Sequence, residues 1–221
     1  MKVVLSGSTG RLGGAVLTHC LNHPSITSII LLTRRGIEDV AQNPKVKVII
    51  VKDFTAYDEP TISELQTADA AIWCLGTFNG NEKVDIEFPF TFINTIKSRP
   101  SSLAKPFRYV QLGGAFTEPP PEEAKQERSL WFFQNGRRVR GAAEARVLEA
   151  AEYGAENEFA VYLVKPGAVL GAAIPKFAWG SLIMGTDELG ATMVDLAVHG
   201  NEQKVFNNQE IVEHGSRLLG N

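Results

Sequence analysis

The sequence predicts an α/β protein with a doubly wound parallel sheet, and three observations support that prediction. Short runs of β-forming residues alternate with helical segments along the chain. The runs at 27–33 and 46–51 are almost wholly apolar, as in strands buried on both faces of a parallel sheet. The first run ends in a glycine-rich turn that opens a helix, the edge at which such sheets bind ligands.

The elements are predicted from apolar runs, helical spacing and Gly or Pro at segment ends. Pro89 belongs in the first turn of its helix, and Asp58 or Thr61 is expected to cap another. Residues 117–123, which contain three consecutive prolines, and the remaining segments are expected to be loops. The predicted strands are 2–6, 27–33, 46–51, 68–75, 107–112 and 159–164, and the predicted helices are 11–22, 37–42, 60–65, 84–98, 137–153, 187–199 and 208–219.

Length and composition favour a single domain, residues 1–221, with small C-terminal elements on the substrate side. The chain is 44% hydrophobic and 21% charged, and its net charge of -3 gives no footprint for nucleic acid. Cys20 and Cys74 are expected to be inert core thiols. With no apolar run near the roughly 18 residues of a membrane span, and no secretory signal, a cytoplasmic location is expected.

The glycine-rich turn has the spacing G-x-x-G-x-x-G, and each glycine has a physical role. Gly7 permits the tight turn, Gly10 lets the backbone approach a pyrophosphate, and Gly13 lets the helix pack closely on the sheet. The helix amino end offers open N–H groups to the phosphates. We therefore predict a dinucleotide site, the alternative being a turn that binds nothing. The predicted contacts are Gly7, Ser8, Thr9, Gly10, Arg11, Leu12 and Gly13.

The end of the second strand indicates which dinucleotide binds. NAD-binding proteins usually carry an acid there that holds the ribose, whereas this chain has Thr33, Arg34 and Arg35. Arginine can form paired hydrogen bonds with the 2′-phosphate of NADP. NADP(H) is therefore the expected cofactor, and the alternative is that both arginines are merely solvated.

Two further strand ends are expected to contact the cofactor. Asp53 can accept a hydrogen bond from the adenine amino group, although a role in its own turn is the alternative. Gly76 permits backbone to pass beneath the adenosine ribose. The predicted contacts at these ends are Asp53, Phe54, Cys74, Leu75, Gly76 and Thr77.

The chain resembles the atypical short-chain dehydrogenase/reductases, above all the Tat-interacting-protein-like oxidoreductases and their fungal relatives. The resemblance covers the whole chain in order and depends mainly on the first 80 residues and on 139–167. It implies a Rossmann fold, bound NADP(H) and a small substrate. The residues that carry it are the glycine turn, Arg34, Arg35, Asp53, Phe54, residues 74–77, Lys165, Pro166 and Gly167.

The resemblance does not extend to the catalytic residues of the family. Members that reduce carbonyls carry a serine after the fifth strand and Tyr-x-x-x-Lys on the next helix, whose tyrosine donates a proton as hydride arrives. Here Gly113 stands at the serine position, Gly136 at the tyrosine position and Arg140 at the lysine position. We therefore expect the chain to reduce ordinary ketones poorly.

Arg140 and Lys165 are the predicted catalytic residues. Arg140 keeps the positive charge and the ribose contact without releasing a proton, and the alternative for it is an ion pair with Glu144 on the helix surface. Lys165 falls where such folds place a residue beside the nicotinamide, and the alternative is a surface lysine. Thr117, beyond two glycines, is a further source of a hydroxyl.

Other residues complete the expected site. Arg137 and Arg138 are expected to be solvated, His199 and His214 to be structural, and no metal site is predicted. An apolar substrate pocket is the expected role of an aromatic group, with core packing as the alternative. That group consists of Phe78, Phe116, Trp131, Phe132, Phe133 and Trp179.

The predicted function is that of an NADP(H)-binding oxidoreductase for a small apolar metabolite, with a non-standard active site. Loss of the proton donor affects carbonyl reduction most, so quinones and conjugated alkenes, which water or the substrate can protonate, remain open as acceptors. Since fold does not fix function, two alternatives stay open. They are a non-redox isomerase or cyclase and an NADP(H)-sensing regulatory protein. The expected partner is a small molecule, with neither nucleic acid nor membrane.

Overall fold

A seven-stranded parallel sheet forms the centre of the molecule. The computed structural model describes residues 1–98, 106–117, 134–152, 158–169 and 183–220. The strand order is β3-β2-β1-β4-β5-β6-β9, so the chain winds outward from β1 and then from β4 in the opposite direction. The strands of this sheet are β1 (Lys2–Ser6), β2 (Ser28–Thr33), β3 (Val46–Ile50), β4 (Ala70–Trp73), β5 (Phe107–Leu112), β6 (Phe159–Val164) and β9 (Val205–Phe206); β7 (Ala168–Val169) and β8 (Ile183–Met184) form a separate parallel pair.

Helices connect the strands. Asp58 caps α3, since its carboxylate accepts a hydrogen bond from Thr61 N at 3.0 Å. Pro89 lies in the first turn of α4, where its missing N–H costs nothing. The helices are α1 (Arg11–Asn22), α2 (Glu38–Ala41), α3 (Glu59–Leu65), a π-helical turn (Lys83–Glu87), α4 (Phe88–Lys97), α5 (Gln134–Glu152), α6 (Thr186–Val198) and α7 (Asn208–Leu219).

Both faces of the sheet are buried, which confirms the doubly wound architecture. Val3 and Leu5 of β1 pack in one hydrophobic cluster with α1 and α6, whereas Val4 packs in the other. That second cluster contains Phe92 of α4 and Val147 of α5. Successive strand residues point to opposite faces, so one strand supplies both clusters.

The structure corrects several predicted elements. The two-residue strands β7, β8 and β9 fall in segments predicted as loops, since they are too short to show a period. The helix predicted at 84–98 begins instead with a π-helical turn, and α5 starts three residues before the predicted 137. The proline-rich loop lies outside the described residues, apart from Thr117.

The two cysteines are free thiols, as expected. Cys20 has no exposed surface, and burial raises the pKa of its thiol to about 12. Burial also raises the pKa of the Cys74 thiol, so both stay protonated near neutral pH. In the described part of the chain, no helix is long and apolar enough to cross a membrane.

Candidate functional site

The glycine turn joins β1 to α1 and packs against the end of β4. Gly7 has φ +74°, and a Cβ there would lie 2.6 Å from the carbonyl carbon of Cys74. A Cβ at Gly13 would collide with the Gly7 carbonyl oxygen. These two glycines are therefore required by the fold itself. Gly10 differs, because the nearest heavy atom to a Cβ there is 3.4 Å away.

The amino end of α1 is open towards a ligand. Gly10 precedes the helix and supplies no side-chain cap, so the N–H groups of the first turn have no helical partner. The buried Ser8 Oγ likewise has no hydrogen-bond partner among the described residues. Open amides and an unpaired hydroxyl beside a helix dipole suit a pyrophosphate, so this turn fits the dinucleotide. Thr9 is exposed at the same turn, and Leu12 is half-buried.

The ends of β2 and β3 carry the charged groups predicted to select the cofactor. Arg34 and Arg35 are exposed, and Thr33 Oγ1 donates to the Arg35 carbonyl oxygen at 2.7 Å. Asp53 Oδ1 accepts hydrogen bonds from Thr55 N at 3.0 Å and from Thr55 Oγ1 at 2.8 Å. These bonds lower the pKa of the exposed Asp53 carboxyl. Asp53 thus shapes its own turn, which was the alternative to an adenine contact.

Phe54 packs away from the site. Its side chain is 1% exposed and stacks on Phe88, with ring centroids 5.3 Å apart. The ring belongs to the core, so any contact of this residue with a cofactor would involve its backbone.

Asp85, which the sequence analysis missed, organises the loop after β4. Its buried carboxylate accepts hydrogen bonds from Thr77 N at 2.7 Å, from Thr77 Oγ1, and from Asn81 N at 2.9 Å. Gly76 leaves room for it, since a Cβ there would lie 3.2 Å from Asp85 Oδ1. The Thr77 hydroxyl is therefore engaged within the loop. An aspartate twelve residues after a strand is too common a pattern to have identified this role.

One cavity of about 340 Å³ lies at the carboxyl ends of the central strands. It reaches from Arg11 and Leu12 at the glycine turn to the segment after β5 and the start of α5. Arg11 Nη2 donates to the Val169 carbonyl oxygen at 2.6 Å, which fixes β7 against the cavity. The lining comprises Phe78 and residues 11, 12, 112–117, 136, 137, 140, 166, 167 and 169.

A buried carboxylate connects three elements beside this cavity. Glu144 of α5 is 6% exposed, and its Oε2 accepts a hydrogen bond from Thr117 Oγ1 at 2.6 Å. The same oxygen lies 2.9 Å from Lys165 Nζ, while Oε1 accepts from Gly114 N at 3.1 Å. Thr117 lines the cavity, and the Lys165 side chain is 26% exposed. We call Thr117, Glu144 and Lys165 the carboxylate unit.

The alternative role for Arg140, an ion pair with Glu144 on the helix surface, is wrong. Glu144 is buried and pairs with Lys165, while Arg140 Nη2 donates to the Gly113 carbonyl oxygen at 3.2 Å. Arg137, expected to be solvated, is 8% exposed and donates from Nε to the Phe116 carbonyl oxygen at 2.7 Å. Arg138 is exposed, as expected. The helix therefore turns Arg137 and Arg140 towards the cavity.

Gly113 and Gly136, at the positions that the resemblance assigns to serine and tyrosine, are closely packed. A Cβ at Gly113 would collide with Glu144 Oε1, and a Cβ at Gly136 would collide with the Phe78 carbonyl oxygen. Gly80, with φ +76°, approaches Gly136 so closely that a Cβ at Gly80 would lie 2.8 Å from its Cα. At Gly136 the close contact is with backbone, so there is no room for a side chain, whereas at Gly113 the end of the Glu144 side chain would have to move.

The remaining predictions concern aromatic residues and histidines. Phe78 and Phe116 line the cavity and are 76% and 45% exposed, whereas residues 131–133 and Trp179 lie outside the described residues. His199 and His214 both contact Asp195, at 2.7 Å and 2.8 Å, away from the cavity. Among the described residues, no three His, Cys, Asp or Glu side chains come together as a metal site.

Sequence comparisons find one partial relative. No family model matches the chain. The leucinostatins biosynthesis cluster protein T of Purpureocillium lilacinum is 33% identical over 76 residues. These residues are 34% of this chain and 28% of that protein, so the match spans little more than a quarter of the relative.

Solved structures share the architecture over nearly the whole chain. Carbonyl reductase Sniffer of D. melanogaster has a TM-score of 0.72 at 11% identity and covers 94% of this chain and 96% of its own. An oxidoreductase of the short chain dehydrogenase/reductase family from Burkholderia thailandensis has a TM-score of 0.68 at 12% identity, with coverages of 99% and 95%. The Bordetella bronchiseptica enzyme WbmF, solved with NAD+, has a TM-score of 0.66 at 10% identity, with coverages of 100% and 78%. The chain therefore has the Rossmann-like α/β fold that these structures share.

Proposed function

We propose that the chain is an NADP(H)-dependent oxidoreductase that acts on a small, mainly apolar metabolite through a non-standard active site. The observation that carries the proposal is the continuity of the cavity. It begins at the glycine turn, which suits a dinucleotide, and ends at Thr117, which belongs to the carboxylate unit. A cofactor and a substrate can therefore meet beside this hydrogen-bonded group of polar side chains.

The charges at the end of β2 support NADP(H) as the cofactor. Arg34 and Arg35 are both exposed at the strand end where a ribose acid is usual in NAD-binding proteins. Two neighbouring guanidinium groups suit a 2′-phosphate better than free ribose hydroxyls. Neither arginine would repel any group of NAD, so the expected preference comes from the added contact with the 2′-phosphate of NADP.

The carboxylate unit takes the place of the missing serine, tyrosine and lysine. NADPH, when bound, supplies the hydride. For proton transfer, the Thr117 hydroxyl turns from Glu144 Oε2 to the substrate oxygen and gives it a proton. A replacement proton passes from Lys165 Nζ to Glu144 Oε2 and from there to Thr117 Oγ1, since Oε2 contacts both groups. Lys165 then regains a proton from water, because part of its side chain is exposed. The net reaction consumes one hydride and one proton for each carbonyl, quinone or enone reduced.

The test is NADPH oxidation, followed by its loss of absorbance, with a panel of quinones, enones and aldehydes. We expect turnover of at least one class, with kcat lowered at least tenfold in Thr117→Val and recovered in Thr117→Ser. The dissociation constant of NADPH should stay unchanged in both variants, because Thr117 belongs to the carboxylate unit and not to the glycine turn. A pH profile of kcat that disappears in Glu144→Gln would support proton transfer through the unit.

Two other outcomes would replace the proposal. Tight NADPH binding with no oxidation in the presence of any panel member would favour an NADP(H)-sensing protein. Rearrangement of a substrate without consumption of cofactor would favour an isomerase or cyclase.

A further inference from the structure

All the charged side chains that line the cavity, among the residues that the structure describes, are cationic. Its charged lining residues, within the part of the chain that the structure describes, are Arg11, Arg137 and Arg140. Arg11 lies at the glycine turn, whereas Arg137 and Arg140 are three residues apart on α5 and share one helix face. The end of the cavity farthest from the glycine turn therefore carries its own positive charge.

The charge of Arg140 is not balanced by its protein contacts. Its one hydrogen bond among the described residues runs from Nη2 to the Gly113 carbonyl oxygen, which is neutral. The nearest acid on its helix face, Glu144, is engaged by Lys165 and Thr117. A guanidinium group beside apolar surface is costly unless an anion pairs with it. The remaining donors of Arg140 thus favour an anionic group of the ligand.

The rest of the lining restricts the size and nature of that ligand. Leu12, Leu112, Phe116 and Val169 make most of the other wall apolar. A volume of about 340 Å³ accommodates a small molecule and not a polymer segment. An apolar body with a single anionic group matches both the wall and the arginine.

We propose that the substrate of this site is an apolar small molecule bearing a carboxylate, and that Arg140 binds this carboxylate through paired hydrogen bonds. The inference deepens the proposed function, because it names the substrate class of the same cavity. A planar carboxylate matches the fork of a guanidinium group, and the pairing supplies orientation as well as affinity. Arg140 is then a specificity-determining residue at the position that the resemblance assigns to lysine.

The experiment compares two probes of nearly equal shape, 4-phenylbutyrate and the neutral 4-phenylbutyramide. Each is titrated calorimetrically into the full chain saturated with NADP+, so that cofactor phosphates cannot account for the result. We expect the carboxylate to bind at least about tenfold more tightly than the amide, as for a charge-assisted contact. Arg140→Gln should remove that difference and leave the affinity for the amide unchanged.

Arg138→Gln is the matched control, because it makes the same charge change on the exposed side of α5. It should leave both affinities unchanged. Arg140→Lys, which keeps the charge without the fork, should bind the carboxylate with intermediate affinity, and it preserves the test if the glutamine variant unfolds. Equal affinities for the two probes, no detectable binding of the carboxylate, or equal losses in Arg138→Gln and Arg140→Gln would overturn the inference.

The same titrations separate this inference from the proposed function. Carboxylate binding that depends on Arg140 in a chain that does not oxidise NADPH would leave the inference standing and remove the oxidoreductase. NADPH oxidation with no preference for the carboxylate probe would do the reverse.

Discussion

The two halves of the sheet hold the cavity in different ways. On the β1 side, backbone geometry prevails: Gly7 and Gly13 allow a close turn, and the amino end of α1 has no side-chain cap. On the β5 and β6 side, side chains prevail, and Glu144 ties a helix to two strand ends. Backbone amides at a helix amino end suit a phosphate whatever the nearby side chains are, whereas the chemistry of a site is set by its side chains. The first half can therefore be general while the second half is particular to this chain.

The largest expected effect tests the backbone half. Gly10→Val should reduce NADPH affinity by more than about 100-fold, because the side chain occupies the space where backbone meets the pyrophosphate. The fold should survive, since φ -83° and ψ 161° suit valine and the nearest heavy atom to a Cβ is 3.4 Å away. Calorimetry with NADPH, alongside thermal unfolding, measures both. Gly14→Ala, within the following helix, is the control and should retain binding. If the folded Gly10→Val variant binds NADPH with undiminished affinity, the cofactor does not bind at this turn.

The next effect sharpens the comparison within the backbone half, where two side chains are expected to choose between cofactors. Replacing Arg34 and Arg35 by alanine should weaken NADPH binding by about 10- to 100-fold, the loss of one or two charge-assisted contacts. NADH affinity should barely change. The double variant Arg146→Ala with Arg217→Ala removes two exposed arginines elsewhere and should affect neither cofactor. Equal weakening for NADPH and NADH would mean that Arg34 and Arg35 act through stability.

A smaller effect tests the packing of the side-chain half. Gly136→Ala should lower the free energy of unfolding by about 1–3 kcal/mol, because its methyl group collides with the Phe78 carbonyl oxygen. Gly36→Ala is the control, since a Cβ there meets no atom within 4 Å, and it should change stability by less than about 0.5 kcal/mol. Denaturant titration gives both values. If Gly136→Ala leaves the free energy of unfolding unchanged, the start of α5 can shift easily and could accommodate a tyrosine.

The smallest effect lies outside the cavity, at an ion pair of the first half. Hydrogen bonds from Lys47 and then Lys2 lower the pKa of the Glu64 carboxyl. A lowered folded-state pKa contributes stability above the unfolded value of about 4.3, and this is lost as pH falls through the folded value. Glu64→Gln should therefore cost about 0.2–1 kcal/mol at pH 7 and less at pH 3. Glu82→Gln, at an exposed position, serves as the reference. A loss that does not change with pH would assign the effect to packing.

Much of the fold could be predicted because its signals are local. Apolar runs placed β5 and β6 at their observed bounds, and the glycine spacing placed α1. The short strands β7 to β9 depend on pairing partners distant in sequence, so local patterns miss them.

The site divides along the same line. The glycine turn is contiguous in sequence, so its spacing can be recognised without the structure. Asp85 and the buried role of Glu144 depend on which loops meet in space, and no spacing reveals that. Arg140 was predicted from its position in the pattern of the resemblance. The alternative that paired it with Glu144 is wrong, because Glu144 is one helical turn away in sequence but contacts Lys165.

The contact between Gly80 and Gly136 has a consequence for the mutational history open to this chain. A tyrosine at 136 becomes acceptable only after the turn at 78–80 has moved, since that turn already fills the space. A serine at 113 likewise requires Glu144 to leave first. Neither replacement is therefore accessible as a single step, because each first step on its own breaks packing. In the present arrangement, a side chain added at 113 or 136 is therefore expected to lower stability unless a second, compensating change is made beside it.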